Sequence, residues 1–399
     1  MTLLFVPALL AFTAFVSGGT YGWARDLFIA ASLMVLLAAL LFREGARAKA
    51  FVPALVLLSV NLLSLIFTVS RADTAGQVFF LSGCVAFAYA ASGAAATASG
   101  KRAVLMTVFF VSVAVSLYAI YQYYVGFAHT EEYLDMLAAK GGAAAEYAKK
   151  IVAAQNRRAF STMLSPNALA CWLAASAPLT LSLARADRRL RALYFAGLAP
   201  VAFAFVLTKS AGGAAALAVG LAVYFTLSKT PAPCAGGRKD AVLAVAILAV
   251  LLAGYGLVRA RGAGEFSLSH SLGERAGYWR GAAEMGGEAP LTGYGAGTFG
   301  IMYPKHIRPG GDETQFAHDT LLQHFAEMGL PGALAVLFVF AAFFFMAVRG
   351  ARGGDAAMMA GVAAAGAVII FHGVQDFTFY VPETAAFFWL LYGIAAGEK

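Results

Sequence analysis

Long apolar windows recur along almost the whole chain and constrain its fold more than any other feature. A hydrocarbon core about 30 Å thick requires roughly 20 predominantly apolar residues for each crossing helix. The pattern predicts an all-α polytopic membrane protein, with the 399 residues in a single membrane domain. About twelve windows meet the requirement, near residues 1–17, 25–42, 51–69, 76–98, 103–125, 162–184, 191–208, 210–228, 240–258, 329–348, 356–373 and 378–396.

The positions of Lys and Arg predict the orientation in the membrane, since short cytoplasmic loops collect these residues. With the N-terminus placed inside, fifteen of them fall on the cytoplasmic face and three in the short loops opposite. We therefore expect both termini to be cytoplasmic, in a bacterial inner membrane. Two longer segments, 126–161 and 259–328, are then periplasmic loops, and the second of them is the large one.

The composition excludes several classes of function. Hydrophobic residues make up 61% of the chain and charged residues 13%, well away from the mixture of soluble domains. We assign the net charge of +8 mainly to contact with anionic membrane lipids, and no nucleic-acid partner is indicated. The sequence has neither a phosphate-binding GxxxxGK[ST] loop nor two aspartates two positions apart. We therefore expect no ATP-driven transport, no metal and no cofactor.

The large loop is predicted to contain short helices, the first over about 272–285. Arg275, Trp279 and Ala282 share one face of this helix, at i, i+4 and i+7. This arrangement places a guanidinium beside an indole at the membrane surface, where it could serve a ligand. An interfacial anchor, with Arg275 reaching to phospholipid, explains the spacing equally well.

A second helix is predicted over about 316–328, with His318 at its start. An imidazole near its ordinary pKa of about 6.5 is a suitable general base, although a histidine at a helix end is more often structural. His324 falls on a different face, so the two histidines cannot share a metal on one helix. Between the helices, the glycine-rich run 293–297 is interpreted as a flexible turn or hinge rather than a dinucleotide motif.

Several short motifs in a fixed order resemble one known family. In the large loop they are Arg275-x3-Trp279, Pro290-Leu291-Thr292-Gly293-Tyr294-Gly295-x-Gly297-Thr298-Phe299, Ala317-His318-Asp319-x2-Leu322-Gln323 and Glu327-Met328-Gly329-Leu330-Pro331-Gly332. Elsewhere they are Arg157-Arg158-Ala159-Phe160, Ser165-Pro166-Asn167, Thr208-Lys209-Ser210 and His372-x3-Asp376-Phe377. Together, over about 155–396, they resemble the O-antigen ligase family of bacterial membrane glycosyltransferases.

The resemblance implies transfer of a whole polysaccharide from an undecaprenyl diphosphate carrier to an acceptor hydroxyl on the periplasmic face, without a metal. Lipid A-core is the expected acceptor. Two alternatives stay open. A relative with the same loop could polymerise lipid-linked repeat units or use another acceptor, and a transporter without catalysis is a third interpretation. Transporters tend to carry ionisable groups at mid-membrane, whereas these windows are nearly free of charge. The sequence leaves the oligomeric state open.

The resemblance also implies roles for individual residues. His318 is the expected base, and Arg275 and Arg158 are expected to clamp the departing diphosphate. Lys209 assists, although the family tends to have Arg there and Lys lacks the bidentate geometry. Asp376 is expected to orient His318 or to hold the acceptor, or else to be an exposed loop acid.

Four further residues complete the predicted substrate site. Arg157 competes with the adjacent Arg158 for the first-loop role, and the sequence does not choose between them. Trp279 is expected to contact substrate from the same helical face as Arg275. Asn167 and Gln323 could hydrogen-bond sugar, but helix capping or packing is an equal alternative.

Overall fold

The computed structural model describes residues 2–16, 22–42, 44, 48–139, 157–163, 165–228 and 268–398, and the regular elements in these ranges are helical. The α-helices are α1 Thr2–Phe15, α2 Gly22–Leu41, α3 Val52–Ser64, α4 Arg71–Ala94, α5 Ala98–Tyr121, α6 Phe127–Ala139, α7 Pro166–Ala186, α8 Arg191–Leu207, α9 Ala211–Leu227, α10 Leu268–Glu288, α11 Phe299–Met302, α12 Thr320–Gly350, α13 Ala356–His372 and α14 Pro382–Ala396. Short 3₁₀ turns cover Ala48–Phe51 and Tyr303–His306, and a π-turn covers Gln122–Gly126.

The predicted all-helical membrane architecture is confirmed in its coarse form. Eleven of the predicted windows overlap helices, whereas the window 240–258 lies outside the described residues. Within the described ranges, five stretches are long and apolar enough to cross a membrane. They are Gly22–Leu41, Arg71–Ala94, Ala98–Ala139, Pro166–Ala186 and Thr320–Gly350. Because the other apolar helices are shorter, the count of twelve crossings stays a prediction.

The helices pack around α14, whose residues are all buried. It contacts α4, α12 and α13, and α13 also packs closely on α7 and α9. Outer helices such as α2 instead expose large apolar side chains, among them Met34 and Leu37. An apolar surface of this kind suits lipid rather than water. The polar turns between helices therefore carry most of the chemistry that the bundle offers.

α12 begins later than the predicted helix 316–328. Its first residue is Thr320, because the Asp319 carboxylate caps the helix and accepts a hydrogen bond from the Leu322 backbone N–H at 2.9 Å. His318 therefore precedes the helix and is not part of it. The backbone of His318 is consequently free to adopt a non-helical conformation.

α12 continues through the boundary that the sequence suggested between a loop helix and the membrane window 329–348. A kink at Gly329, where φ is 65° and ψ is −162°, joins the two parts into one element ending at Gly350. The kink packs on the residues just before the glycine-rich run, since the Leu330 N–H donates to the Pro290 carbonyl at 2.7 Å. A Cβ on Gly329 would meet that carbonyl oxygen at 2.5 Å, so the close approach requires glycine.

The glycine-rich run 293–297 is not the flexible hinge that we expected. Gly293, Gly295 and Gly297 have φ values of 59°, 106° and 77°, and the first two touch neighbouring backbone or side-chain atoms. A Cβ on Gly293 would lie 2.2 Å from the Glu327 carbonyl carbon, and one on Gly295 would lie 2.1 Å from the Thr68 hydroxyl. The run is a tightly packed loop between α3, α4 and α12, which fixes the end of α10.

Candidate active site

His318 and Asp376 lie together at one end of the bundle. The imidazole Nδ1 is 3.3 Å from the Asp376 carboxylate Oδ1, and their side chains are 20% and 5% exposed. This is an ion-pair distance, although the approach lacks hydrogen-bond geometry. The chain segment that carries His318 is joined to the one that carries Asp376 by Thr320. Its N–H and hydroxyl both donate to the Gly373 carbonyl, at 2.8 and 2.9 Å. The structure thus brings this histidine and acid together, and the role of each stays a prediction.

Aromatic rings hold the His318 imidazole on two sides. Tyr278 of α10 stacks on it with centroids 5.5 Å apart and an interplanar angle of 27°, while Phe377 meets it edge-on at 4.9 Å. The Trp279 indole N–H donates to the His318 carbonyl at 3.3 Å. These contacts restrict rotation of the ring, which is the condition for a base that must meet its substrate in one orientation.

α10 presents the predicted face to this cluster. It is longer than the expected 272–285, running over Leu268–Glu288, and Ala282 on the same face is fully buried. Because Trp279 contacts the His318 segment, Arg275 one turn earlier lies on the side of the helix that faces the cluster. Within the described residues its guanidinium makes no hydrogen bond or salt bridge, so it is available to an anion.

The charges around Asp376 lower the pKa of its carboxyl group. Burial alone would raise that pKa, but His318, His372 and Arg275 together lower it to about 2. Asp376 is therefore an anion throughout the neutral range. The effect of Arg275 on Asp376 also places its positive charge within electrostatic reach of the His318 pair.

Arg158 forms a second cluster with the turn between α8 and α9. Its Nε donates to the Thr208 carbonyl and its terminal nitrogen to Asn167 Oδ1, both at 2.7 Å. The Ser210 hydroxyl donates to the same Asn167 oxygen at 3.0 Å. Asn167 thus orients Arg158 through its side chain, which matches the packing alternative and leaves its contact with sugar a prediction.

Lys209 lies on the same turn as the carbonyl that holds Arg158. Its pKa is lowered, chiefly by burial and also by the positive charge of Arg158. Two cations brought together under partial burial repel each other, and a bound anion would relieve that repulsion. The Arg158 and Lys209 pair is therefore a suitable place for a phosphate group.

Arg157 points away from this cluster. Its guanidinium forms a two-pronged contact with Glu131 of α6, with Nε 3.0 Å from Oε1, and its side chain is 57% exposed. An exposed pair of this kind contributes little to stability. Of the two adjacent arginines, Arg158 is the one directed toward the turn that carries Lys209.

The two clusters meet through Gln375, beside Asp376. Its side-chain amide donates to the Gly212 carbonyl at 3.2 Å, at the start of α9 and just beyond Lys209. A Cβ on Gly212 would lie 3.0 Å from the Gln375 side chain, so the contact is close. The turns bearing Asp376 and Lys209 are therefore neighbours.

Most of the residues with an unusual backbone conformation belong to the predicted site. Four described residues other than glycine have positive φ: Arg157, Ser161, Lys209 and His318, at 45°, 58°, 52° and 53°. Side chains disfavour this conformation, and it tends to occur where function requires it. Three of the four belong to the residues that the sequence singled out.

Gln323 has an internal role. Its side chain is buried, and the residue is 2% exposed. The side-chain oxygen Oε1 accepts from the Ala317 N–H at 2.8 Å, and the side-chain nitrogen Nε2 donates to Glu327 at 3.0 Å. Both ends of the side chain are thus engaged within the protein. This observation supports the packing alternative over direct contact with sugar.

Other residues of the site were missed from the sequence. Tyr278 gave no signal beyond its place in a predicted helix. Gln122 is buried, and its side-chain carbonyl oxygen accepts from the Phe160 and Ser161 N–H groups at 3.0 and 2.8 Å, which fixes the segment after Arg158. A polar residue between tyrosines at the end of an apolar window was a usable signal, since such a group requires a partner.

One stretch of the chain matches a known protein family. Residues 196–337 match the family described as O-antigen ligase. Over this segment the chain is similar to the O-antigen ligase family. The match covers Lys209, Arg275 and His318, and it lies between Arg158 and Asp376. No curated protein matches the chain.

The similarity to the O-antigen ligase family indicates a glycosyltransferase of the ligase or polymerase type, with a lipid-linked glycan as donor and a glycan as acceptor in general terms. Together with the apolar helices, it also supports a multi-pass membrane protein. The matched segment contains both the helix that carries Arg275 and the residue that contacts Asp376.

The different directions of Arg157 and Arg158 lead to a prediction. We expect Arg158→Gln to raise the KM for a lipid diphosphate donor about 10- to 100-fold, because hydrogen bonds to charged groups contribute about 1.5–3 kcal/mol. Arg157→Gln is the matched control and should change this KM less than about threefold, as expected for an exposed charge. Initial rates over a range of donor concentrations measure both. Equal losses in the two variants would contradict the assignment.

Proposed function

We propose that this protein transfers a polysaccharide as one unit from undecaprenyl diphosphate to a hydroxyl of lipid A-core, on the periplasmic side of the bacterial inner membrane. The observation that carries the proposal is the His318–Asp376 pair beside Arg275, within a segment of the O-antigen ligase family. The sequence-based orientation supports the periplasmic side. The neighbouring turn with Arg158 and Lys209 supports an anionic donor.

In the proposed reaction His318 acts as the general base. With Nδ1 beside the anionic Asp376, the tautomer that carries its proton on Nδ1 is favoured, which leaves the Nε2 lone pair free. Nε2 accepts the proton of the acceptor hydroxyl while the hydroxyl oxygen bonds to the anomeric carbon of the glycan. The bond between that carbon and the diphosphate oxygen breaks, and its electron pair leaves with undecaprenyl diphosphate.

Cationic side chains stabilise the leaving group in this scheme. Negative charge develops on the diphosphate as the bond breaks, and preorganised donors in a poorly solvated site are effective at stabilising such charge. We assign this task to Arg275 and Arg158, with Lys209 adding a third positive charge. Since side chains supply the charge, we propose that the reaction is independent of metal ions.

Reconstitution tests the proposal. Purified protein is incubated in lipid nanodiscs with lipid-linked glycan and either lipid A-core or additional donor, and the products are separated by size and lipid content. We expect a glycan on lipid A-core in the first mixture, unchanged by a chelator of divalent cations. Product only in the second mixture would replace the ligase with a polymerase. Loss of activity on chelation, restored by a divalent cation, would contradict the metal-independent mechanism.

A further inference from the structure

Glu327 is a fully buried acid to which the proposed reaction assigns no role. Its side chain is 0% exposed. Its Oε1 accepts hydrogen bonds from the Phe299 N–H at 3.2 Å and from the Gln323 amide at 3.0 Å, and its Oε2 accepts from the Tyr380 hydroxyl at 3.1 Å. A buried carboxylate is tolerated only where its oxygens are well satisfied. The protein therefore supplies the buried Glu327 carboxylate with three hydrogen-bond donors.

The partners of this carboxylate come from three separate segments. Phe299 follows the glycine-rich loop. Gln323 in turn accepts from the N–H of Ala317, the residue before His318. Tyr380 lies on the loop between α13 and α14, four residues after Asp376. One side chain thus connects the segment that carries the proposed base with the loop that carries its acidic partner.

The backbone around Glu327 leaves little freedom for these segments to shift. Its carbonyl accepts from the Gly295 N–H at 2.7 Å, and Gly293 packs against it without room for a Cβ. The connection is therefore anchored to a rigid support. The approach of His318 to Asp376, by contrast, depends on segments that are far apart in sequence.

We propose that Glu327 is a positioning residue of the transfer reaction, whose carboxylate holds the His318 segment and the Asp376 loop in register. The inference rests on the proposed function, and it adds a residue that touches neither substrate. Without the carboxylate, the donors on the three segments lose their common acceptor. The separation of His318 from Asp376 then depends on the pairing of Thr320 with Gly373 without the second connection through Glu327. Displacements of about 1 Å can cost as much as 100-fold in rate.

The test compares three variants at this connection with a control elsewhere. Glu327→Ala removes the common acceptor, and Gln323→Leu cuts the link to Ala317 while leaving Glu327 in place. Glu327→Gln keeps the shape and one acceptor oxygen, and the Tyr380 hydroxyl can accept from the new amide. Lys101→Met is the control, because Lys101 is also buried and joins two segments, through Asp355 and Glu398, without contacting the site.

Two measurements are made on each folded protein. Transfer kinetics give kcat and the donor KM. The ¹⁵N NMR signals of labelled histidine report the protonation and tautomer of His318, whose signal is assigned as the one that disappears in His318→Asn.

We expect Glu327→Ala and Gln323→Leu to lower kcat about 10- to 100-fold with the KM changed less than about threefold. Their His318 signal should move in the direction produced by Asp376→Asn. Glu327→Gln should stay within about threefold of the unaltered protein, and Lys101→Met should lower thermal stability without moving the His318 signal.

The outcomes separate this inference from the proposed function. If the unaltered protein transfers glycan while Glu327→Ala and Gln323→Leu keep full kcat and an unchanged His318 signal, the positioning role is wrong. It is also wrong if Glu327→Gln loses as much activity as Glu327→Ala, since charge rather than hydrogen bonding would then matter. If the unaltered protein shows no transfer, the proposed function fails, and the NMR comparison alone decides whether Glu327 sets the environment of His318. Should Glu327→Ala not fold, Gln323→Leu decides both measurements.

Discussion

Replacing His318 by asparagine is expected to lower kcat for glycan transfer by about 10²- to 10⁴-fold, the usual contribution of a positioned general base. Asparagine removes the imidazole but tolerates the left-handed backbone that His318 adopts, with φ of 53°. The fold should therefore survive the change. The donor KM should change little, because the proposed diphosphate contacts come from Arg275, Arg158 and Lys209.

His306 offers a matched control for this experiment. It is another histidine of the matched segment, and its imidazole contacts Glu288 at 3.2 Å rather than Asp376. We expect His306→Asn to keep kcat within about threefold of the unaltered protein, because its partner Glu288 is 56% exposed and a pair with a solvated acid has small energetic weight. Equal activity of His318→Asn and the unaltered protein would remove His318 as the base. Equal losses in both variants would indicate a general disturbance of the large loop.

Asp376 gives the proposed base a constant environment over the working pH range. Its pKa of about 2 means that its charge does not change near neutrality. Any pH dependence of transfer around neutral pH must therefore come from other groups. In the proposed mechanism the anion supports His318 in two ways, by favouring the useful tautomer and by stabilising the imidazolium that proton transfer creates.

The apolar windows predicted the helices well because lipid leaves the backbone no alternative to helical hydrogen bonding. The start of α12 was less accessible. Asp319 followed by an apolar run is a normal capping signal, yet the preceding Phe316 to His318 fit the same helical pattern. The choice is made by tertiary contacts, since Gln323 and Gly373 bind the segment just before and at the helix start.

The sequence predicted which residues form the candidate site, but it did not predict how their side chains are arranged in space. The resemblance named both His318 and Asp376, but their contact depends on the pairing of Thr320 with Gly373, which no local pattern encodes. The choice between Arg157 and Arg158 could not be made from the sequence either, because it also depends on tertiary contacts. Adjacent side chains point in different directions here, and Glu131 and Asn167 decide which direction each one takes.

Arg275→Ala is expected to have the second large effect, lowering kcat by about 10²- to 10³-fold, comparable to loss of a donor that stabilises transition-state charge. The guanidinium lies on the face of α10 that contacts His318 through Trp279, and its charge acts on Asp376. Arg275→Lys should recover part of the loss, because lysine keeps the charge but lacks the planar fork that binds two phosphate oxygens. Single-turnover rates with saturating donor measure the chemical step directly.

Arg280 provides the control on the same helix. Its side chain is 41% exposed and its Nε lies 3.9 Å from Glu284, so Arg280→Ala should change kcat less than about threefold. This control matters because the competing interpretation gives Arg275 an anchoring role at the lipid surface. An anchor would lose membrane insertion or stability on substitution by alanine while a correctly inserted protein kept its rate. Arg275→Ala that inserts normally and transfers glycan as fast as Arg280→Ala would therefore favour the anchor. A loss of rate confined to Arg275, partly restored by lysine, requires a charge that acts during bond cleavage.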